Sequence, residues 1–263
     1  MAEPGAEGRR DSVGWQGHDG RRPVELAAVS DRGGVRVENQ DVALLVELEA
    51  VPGAALLLAD GMGGHPDGRL AAELATAAAG EALRGAEEPA GALPQAIEAA
   101  NRAIGERAVP DERGRSLGTT LVAAVVSGGR AGVANVGDSR AYLVRGGVAT
   151  QVSVDHSWVA EQMRAGILTE EEALRHPRRS RVTRALLGEP VEPDLFEVAL
   201  RPGDVILLCS DGLWDSLPPQ RIAELLSGEA PLGELVGELV DAALRAGSTD
   251  NVTAAALRAL ADD

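Results

Sequence analysis

The order of secondary-structure signals predicts an α+β fold, a sandwich of antiparallel sheets rather than a doubly wound parallel sheet. The predicted strands come in blocks joined by hairpin signals, such as Gly128-Gly129 and Gly146-Gly147. The predicted helices come in pairs between these blocks instead of alternating singly with strands, which is typical of α+β proteins. The glycine-rich segments lack the GK[ST] ending of a nucleotide-binding phosphate loop.

The first half of the chain changes character near residue 24. Residues 1–23 are rich in Gly, Arg, Glu and Asp without periodicity, and they are predicted to form a disordered tail. Residues 24–263 are predicted to form a single domain. Hydrophobic patterning and turn residues predict, in order, strands at 24–29, 41–48 and 54–59 and helices at 67–83 and 89–108.

The second half contains an insertion of different composition. Residues 156–187 are charged, with two short helical patterns, and are predicted to form a flap subdomain on the main body. Around this flap the pattern predicts strands at 119–126, 131–136, 141–145, 148–152, 195–200, 205–210 and 252–257, with helices at 219–226 and 232–246.

Composition limits the function classes. The chain has 263 residues and a formal net charge of −16, and such an acidic surface repels nucleic acid, so no nucleic-acid partner is expected. The single cysteine, Cys209, excludes an intramolecular disulfide and agrees with a cytoplasmic location. No run of about 18 uncharged apolar residues predicts a membrane span. A monomer is the default expectation.

Five aspartates stand at the ends of predicted strands, mostly beside Gly or Asn. Each Asp-Gly step taken singly is typical of a turn. Strand ends can nevertheless converge at one sheet edge, and clustered carboxylates need a cation to neutralise them. Carboxylate oxygens favour Mg²⁺ or Mn²⁺, and the four histidines form no zinc pattern. The five are Asp41, Asp60, Asp138, Asp211 and Asp250.

Six short motifs in a fixed order make the pattern specific. Together, over residues 25–257, they resemble the metal-dependent serine/threonine protein phosphatases of the PPM type, also called type 2C, in their bacterial branch. The resemblance implies a four-layer α-β-β-α sandwich of two antiparallel sheets flanked by helices. The motifs are Arg36-Val37-Glu38-Asn39-Gln40-Asp41, Asp60-Gly61-Met62-Gly63-Gly64-His65, Gly118-Thr119-Thr120, Gly137-Asp138-Ser139-Arg140, Ser210-Asp211-Gly212 and Asp250-Asn251.

The resemblance also implies a binuclear Mn²⁺ or Mg²⁺ centre. Asp60 would bridge the two ions, and Asp211 and Asp250 would complete the first metal site. The backbone carbonyl of Gly61 would bind the second ion. Asp138 would contribute to a third, weaker site.

Three further positions carry implied roles in catalysis. Asp41 would hold a metal-bound water, and Arg36 would bind the substrate phosphate through its planar guanidinium. Met62 stands where some members have a histidine that acts as general acid, and a thioether cannot donate a proton. The nearby His65 is one substitute and a metal-bound water is another, so the general acid stays open.

The implied activity is hydrolysis of phosphoserine and phosphothreonine in proteins by a metal-activated water, opposing a Ser/Thr kinase. Two alternatives remain open at this point. The fold could serve as a catalytically inactive sensor or scaffold, or the enzyme could act on a regulator of a stress response. A cysteine-based phosphatase is excluded, since Cys209 lies in an apolar predicted strand and lacks a Cys-x5-Arg loop.

Overall fold

The computed structural model describes residues 10–62, 67–108 and 117–261. The strands in these residues are β1 (Arg10–His18), β2 (Pro23–Asp31), β3 (Asp41–Glu47), β4 (Ala54–Asp60), β5 (Leu121–Ser127), β6 (Arg130–Val136), β7 (Arg140–Arg145), β8 (Val148–Gln151), β9 (Asp194–Ala199), β10 (Val205–Cys209) and β11 (Val252–Ala259). The helices are α1 (Gly68–Arg84), α2 (Leu93–Arg107), α3 (Trp158–Arg164), α4 (Glu170–Leu174), α5 (Asp211–Trp214), α6 (Pro219–Leu226) and α7 (Leu232–Arg245). None of these helices is long and apolar enough to cross a membrane.

The strands form two antiparallel sheets. One sheet has the order β1-β2-β11-β10-β7-β8, and the other has the order β3-β4-β5-β6-β9. The two Gly-Gly pairs that predicted hairpins close the β5–β6 and β7–β8 connections, and all four glycines have positive φ. Two successive residues at positive φ form the tight turn whose twist matches that of the flanking strands. The predicted antiparallel sandwich is therefore confirmed.

Three hydrophobic clusters separate four layers. The cluster between the sheets includes Leu26, Leu56 and Ile206. A second cluster packs α1 and α2 on the five-stranded sheet, and a third packs α6 and α7 on the six-stranded sheet. The layer order is thus helices, sheet, sheet, helices, as the resemblance implies.

The central strands are buried on both faces of their sheet, which explains why their sequences are continuous apolar runs. In β4, Leu56 and Leu58 face the other sheet, whereas Leu57 between them faces α1 and α2. Side chains alternate between the two faces of a strand, so every position of β4 up to Ala59 is covered by protein. The charged Asp60 follows where this covered strand ends, and the fold therefore delivers a carboxylate to the sheet edge.

The N-terminal segment differs from the expectation of a disordered tail. Residues 10–18 form β1, which pairs with β2 over nine residues, from Arg10 opposite Asp31 to His18 opposite Pro23. Trp15 packs against the cluster between the sheets. Main-chain hydrogen bonding to an existing sheet edge needs no hydrophobic alternation, which is why composition alone gave no strand signal. Residues 1–9 of the predicted tail lie outside the described residues.

Residues 156–187 contain α3 and α4, as their pattern indicated. Ser157 caps α3, and Thr169 and Glu172 form a capping box at α4. The ring of Trp158 stacks on His176 at a centroid distance of 4.6 Å. An isolated bridge between Ser157 and residue 182 closes the segment on itself. The assignment of this segment as a flap subdomain stays a prediction.

Candidate metal centre

The predicted aspartates arrive from separate elements at one edge of the sandwich. Asp60 ends β4, and Asp41, which begins β3, is its direct register partner. Asp211 opens α5 immediately after β10, and Asp250 precedes β11, the strand that pairs with β10. Asp138 lies in the connection from β6 to β7. The antiparallel register thus brings together residues that are far apart in the sequence.

Four of these carboxylates line one cavity of about 220 Å³. The cavity has the composition expected of a cation site with an anion-binding group at its side. Its lining includes Arg36, Asp60, Gly61, Met62, Asp138, Asp211 and Asp250. The structure therefore brings together all but one of the site residues predicted from the sequence.

Asp41 lies behind this cavity rather than on its wall. Its side chain is 1% exposed, and its Oδ2 atom makes no normal hydrogen bond to any described residue. Burial raises the pKa of Asp41 to about 6, although the hydroxyl groups of Thr253 and Ser210 favour its charged form. Asp41 is thus a buried carboxylate directly opposite Asp60, and its role in holding a metal-bound water stays a prediction.

A close backbone contact brings Asp211 and Asp250 together. A Cβ atom on Gly212 would lie 2.0 Å from the carbonyl oxygen of Asn251, so only glycine allows α5 to approach the start of β11 this closely. The Asp211-Gly212 step is therefore more than a turn, because it sets the spacing between two predicted metal ligands.

Two threonines hold Asp60 through its backbone. The Asp60 amide donates to Thr120 Oγ1 at 3.0 Å, and the Thr119 hydroxyl donates to the Asp60 carbonyl at 2.8 Å. Gly61, the next residue, has no room for a side chain, since a Cβ would lie 2.3 Å from the carbonyl oxygen of Gly68. Packing against α1 thus explains this glycine, in addition to any approach to an ion.

Mutual repulsion makes the cluster a candidate cation site. Asp60 and Asp211 are partly accessible through the cavity but otherwise surrounded by protein. This burial, together with repulsion from neighbouring carboxylates, raises both pKa values well above their usual range. Burial followed by repulsion from Asp155 raises the pKa of Asp138 to about 6. These groups cannot all be ionised at neutral pH unless a cation compensates them, and their hard oxygen donors fit Mn²⁺ or Mg²⁺.

The side chains surround the cavity without closing on one point. Among the described residues, no three acidic, histidine or cysteine side chains are close enough as placed to ligate a single ion. Asp250 instead accepts a hydrogen bond from Arg36, with 2.5 Å between Oδ2 and Nη2. The arginine predicted to bind phosphate is therefore paired with a predicted metal ligand, and ligation would require this ion pair to rearrange.

Two residues shape the site without having been predicted to do so. The Asn251 side chain donates to the carbonyls of Arg32 and Glu38 and accepts from the Gln40 amide, which fixes the loop that carries Arg36. The Trp214 indole donates to the Asp138 carbonyl at 3.0 Å. The Asp-Asn pair was visible in the sequence, whereas nothing local to Trp214 indicates a contact 76 residues away.

Met62 and His65 are the two residues that bear on the identity of the general acid. Met62 lies on the cavity wall, with its amide bonded to the Gly118 carbonyl. His65, the substitute considered from the sequence, lies outside the described residues.

Comparison with known proteins gives a consistent result. A family model described as "Protein phosphatase 2C" matches residues 35–247. Over 236 residues the chain is 42% identical to the serine/threonine protein phosphatase PstP of Mycobacterium tuberculosis, covering 88% of this chain. It spans only 44% of that relative's length. It is also 37% identical to the serine/threonine phosphatase stp of Listeria innocua, covering 85% of this chain and 91% of the relative.

A solved structure extends the similarity to three dimensions. The catalytic domain of the serine/threonine protein phosphatase PstP in complex with two manganese ions superposes with a TM-score of 0.78 at 38% sequence identity. The match covers 90% of this chain and 99% of that domain.

Proposed function

Because the chain belongs to the protein phosphatase 2C family, we propose that it hydrolyses phosphoserine and phosphothreonine in proteins with a pair of Mn²⁺ or Mg²⁺ ions. The predicted family and its bacterial branch are confirmed by the bacterial serine/threonine phosphatases that it matches. The manganese-bound neighbour supports the metal dependence.

One observation carries the proposal: Asp60, Asp138, Asp211 and Asp250 line a single cavity together with Arg36. Burial and repulsion between these carboxylates raise the pKa values of Asp60 and Asp211, and a bound divalent cation would offset this repulsion. A sensor or scaffold that does not use metal has no need of such a cluster, which opposes burial of the site during folding.

We assign the metal ligands as the resemblance suggests. Asp60 would hold both ions, Asp211 and Asp250 would hold one of them, and the Gly61 carbonyl the other. When bound, the ions supply a water made acidic enough to attack phosphorus at neutral pH, together with neutralisation of the phosphoryl oxygens. Asp138, which lines the cavity and interacts electrostatically with Arg140, would contribute to a third site.

The remaining roles belong to side chains that orient the reactants. Arg36 would release Asp250 and form two charge-assisted hydrogen bonds to the substrate phosphate. Asp41, buried behind Asp60, would hold a metal-bound water. His65 stays a candidate proton donor to the leaving group, since Met62 cannot act as one.

The biological setting follows from this chemistry. Phosphoproteins are the substrates that a serine/threonine phosphatase requires, and we propose that they are products of a Ser/Thr kinase in the same cytoplasm. The partner kinase, the monomeric state and the cytoplasmic location stay predictions.

The decisive experiment measures hydrolysis of a phosphothreonine peptide with Mn²⁺ and with EDTA. We expect activity only with Mn²⁺, and a loss of at least about a hundredfold in Asp60→Asn and Asp211→Asn, because a key electrostatic interaction with the reacting centre typically contributes that much. Asp241→Asn is the matched control, since Asp241 lies on α7 and does not line the cavity.

Two results would overturn the proposal. Full activity in EDTA would exclude the metal mechanism. A folded protein that binds Mn²⁺ but hydrolyses no phosphopeptide would favour the sensor or scaffold interpretation.

A further inference from the structure

A second, larger cavity adjoins the metal centre. Its volume is about 690 Å³, about three times the 220 Å³ of the metal cavity. The two cavities share Asp138, Ser180 and Asp211 on their walls, so they lie side by side at the candidate metal centre. The larger cavity extends from there between the α3–α4 segment and the start of α6. Its volume lies in the range typical of ligand-binding pockets.

The part of this cavity away from the aspartates is mostly apolar. It is lined by aliphatic side chains of α3 and α4, by the Trp214 ring of α5 and by the residues that lead into α6. Examples from these walls are Val159, Ala160, Ala173, Trp214, Leu217 and Pro218. Apolar walls of this kind bind apolar groups, because removing both surfaces from water is favourable.

The two arginines among the described lining residues are occupied by ion pairs. Arg140 forms a two-pronged pair with Asp155, with distances of 3.0 Å and 2.7 Å, and lies over the Trp214 ring at 3.5 Å. Arg179 pairs with Asp215, which also lines the cavity. Both guanidinium groups are thus engaged, and binding of a second phosphate group in this cavity would require one of these ion pairs to break.

We propose that this cavity is a subsite for a large aliphatic side chain, such as leucine, within a few residues of the phosphorylated residue of the substrate. The inference rests on the proposed function, because the phosphoryl group is placed in the metal cavity. A peptide anchored there passes Ser180 into the larger cavity, since Ser180 lies on the wall of both. The enzyme would therefore prefer phosphoprotein segments with an aliphatic residue near the phosphate.

The first test uses the unmodified protein with Mn²⁺ and a set of phosphothreonine peptides. The parent peptide has glycine and serine at all flanking positions, and each variant carries one leucine at one of three positions on either side. We expect one or two neighbouring positions to raise kcat/KM by about tenfold, as burial of a leucine side chain allows.

A cavity-filling variant tests where the leucine binds. Ala160, on α3, lines the cavity and is 8% exposed. Ala160→Leu should reduce the preference for the leucine peptide to less than about threefold. Ala165→Leu is the matched control, because Ala165 is exposed at the end of the same helix and does not line the cavity. It should keep the full preference.

The outcomes separate the subsite from the proposed function. Equal hydrolysis of all the peptides would overturn the subsite and leave the phosphatase activity intact. A leucine preference that survives in Ala160→Leu would also overturn it, since the side chain would then bind elsewhere. Failure to hydrolyse every phosphopeptide would overturn the proposed function and the subsite with it.

Discussion

Removing the charge of Asp41 should stabilise the metal-free protein at neutral pH. Asp41 is 1% exposed and its Oδ2 atom is without a hydrogen-bond partner among the described residues. Asp41→Asn keeps the shape of the side chain and an oxygen that can accept from Ser210 or Thr253. The variant therefore removes the buried charge with little change in packing.

The magnitude follows from the raised pKa. The pKa of Asp41 is about 6 in the folded protein, against 3.8 for an ordinary aspartate, mainly because of burial. The folded state therefore holds its proton to higher pH than the unfolded state, and stability falls as pH rises from about 4 to about 6. At 1.36 kcal/mol for each pKa unit, ionised Asp41 opposes folding at pH 7 by about 3 kcal/mol. Asp41→Asn lacks this penalty.

The assay is urea unfolding in EDTA at pH 4.5 and at pH 7. At each pH, the quantity compared is the unfolding free energy of the variant minus that of the unmodified protein. We expect this difference to be larger at pH 7 than at pH 4.5 by about 2 kcal/mol. Mn²⁺ at pH 7 should reduce this difference, because the cation stabilises ionised carboxylates around the cavity. A difference that is the same at both pH values in EDTA would refute the conclusion that burial raises the pKa of Asp41.

Two further substitutions test the ion pairs around the site. Arg36→Ala should raise KM for a phosphopeptide by about tenfold or more, because charge-assisted hydrogen bonds to the phosphate are lost. Arg245→Ala, at an exposed arginine, is the control. An unchanged KM in Arg36→Ala would mean that Arg36 does not bind phosphate. Asp155→Ala should lower the unfolding free energy in a urea titration by about 3 kcal/mol, because it leaves the largely buried Arg140 without its carboxylate partner. Asp215→Ala should lower it by less than about 1 kcal/mol, because the partner of Asp215 is exposed.

The aspartate cluster could be predicted because each member ends or precedes an apolar strand. Asp60 follows six buried residues of β4, and Asp211 follows β10, so the hydrophobic pattern itself marks the sheet edge. Antiparallel pairing then places Asp41 directly opposite Asp60. An aspartate recurs at the end or the start of several apolar strands, and the formation of turns alone does not require this repetition.

Contacts between distant segments could not be predicted in the same way. The strand β1 lacks alternation and depends on main-chain pairing to β2, so its composition resembles that of a tail. The ion pair between Arg36 and Asp250 joins residues 214 positions apart, and no local pattern specifies it. The cavity beside Trp214 likewise depends on how α3, α4 and α5 are arranged around it, which is a property of tertiary structure.

The same burial that raises the pKa values in the metal-free site would favour binding of divalent cations at the proposed metal centre. Asp60 and Asp211 are held by backbone contacts that do not depend on their charge, through Thr120 and through the close approach of Gly212 to Asn251. The main chain that carries the two carboxylates is therefore fixed around the cavity, and without a metal both carboxylates hold a proton more readily than an ordinary aspartate does. A proton neutralises one carboxylate, whereas a divalent ion neutralises two and can be shared between them. At neutral pH protons are scarce, so the fold converts rigid positioning of acidic groups into a dependence on metal.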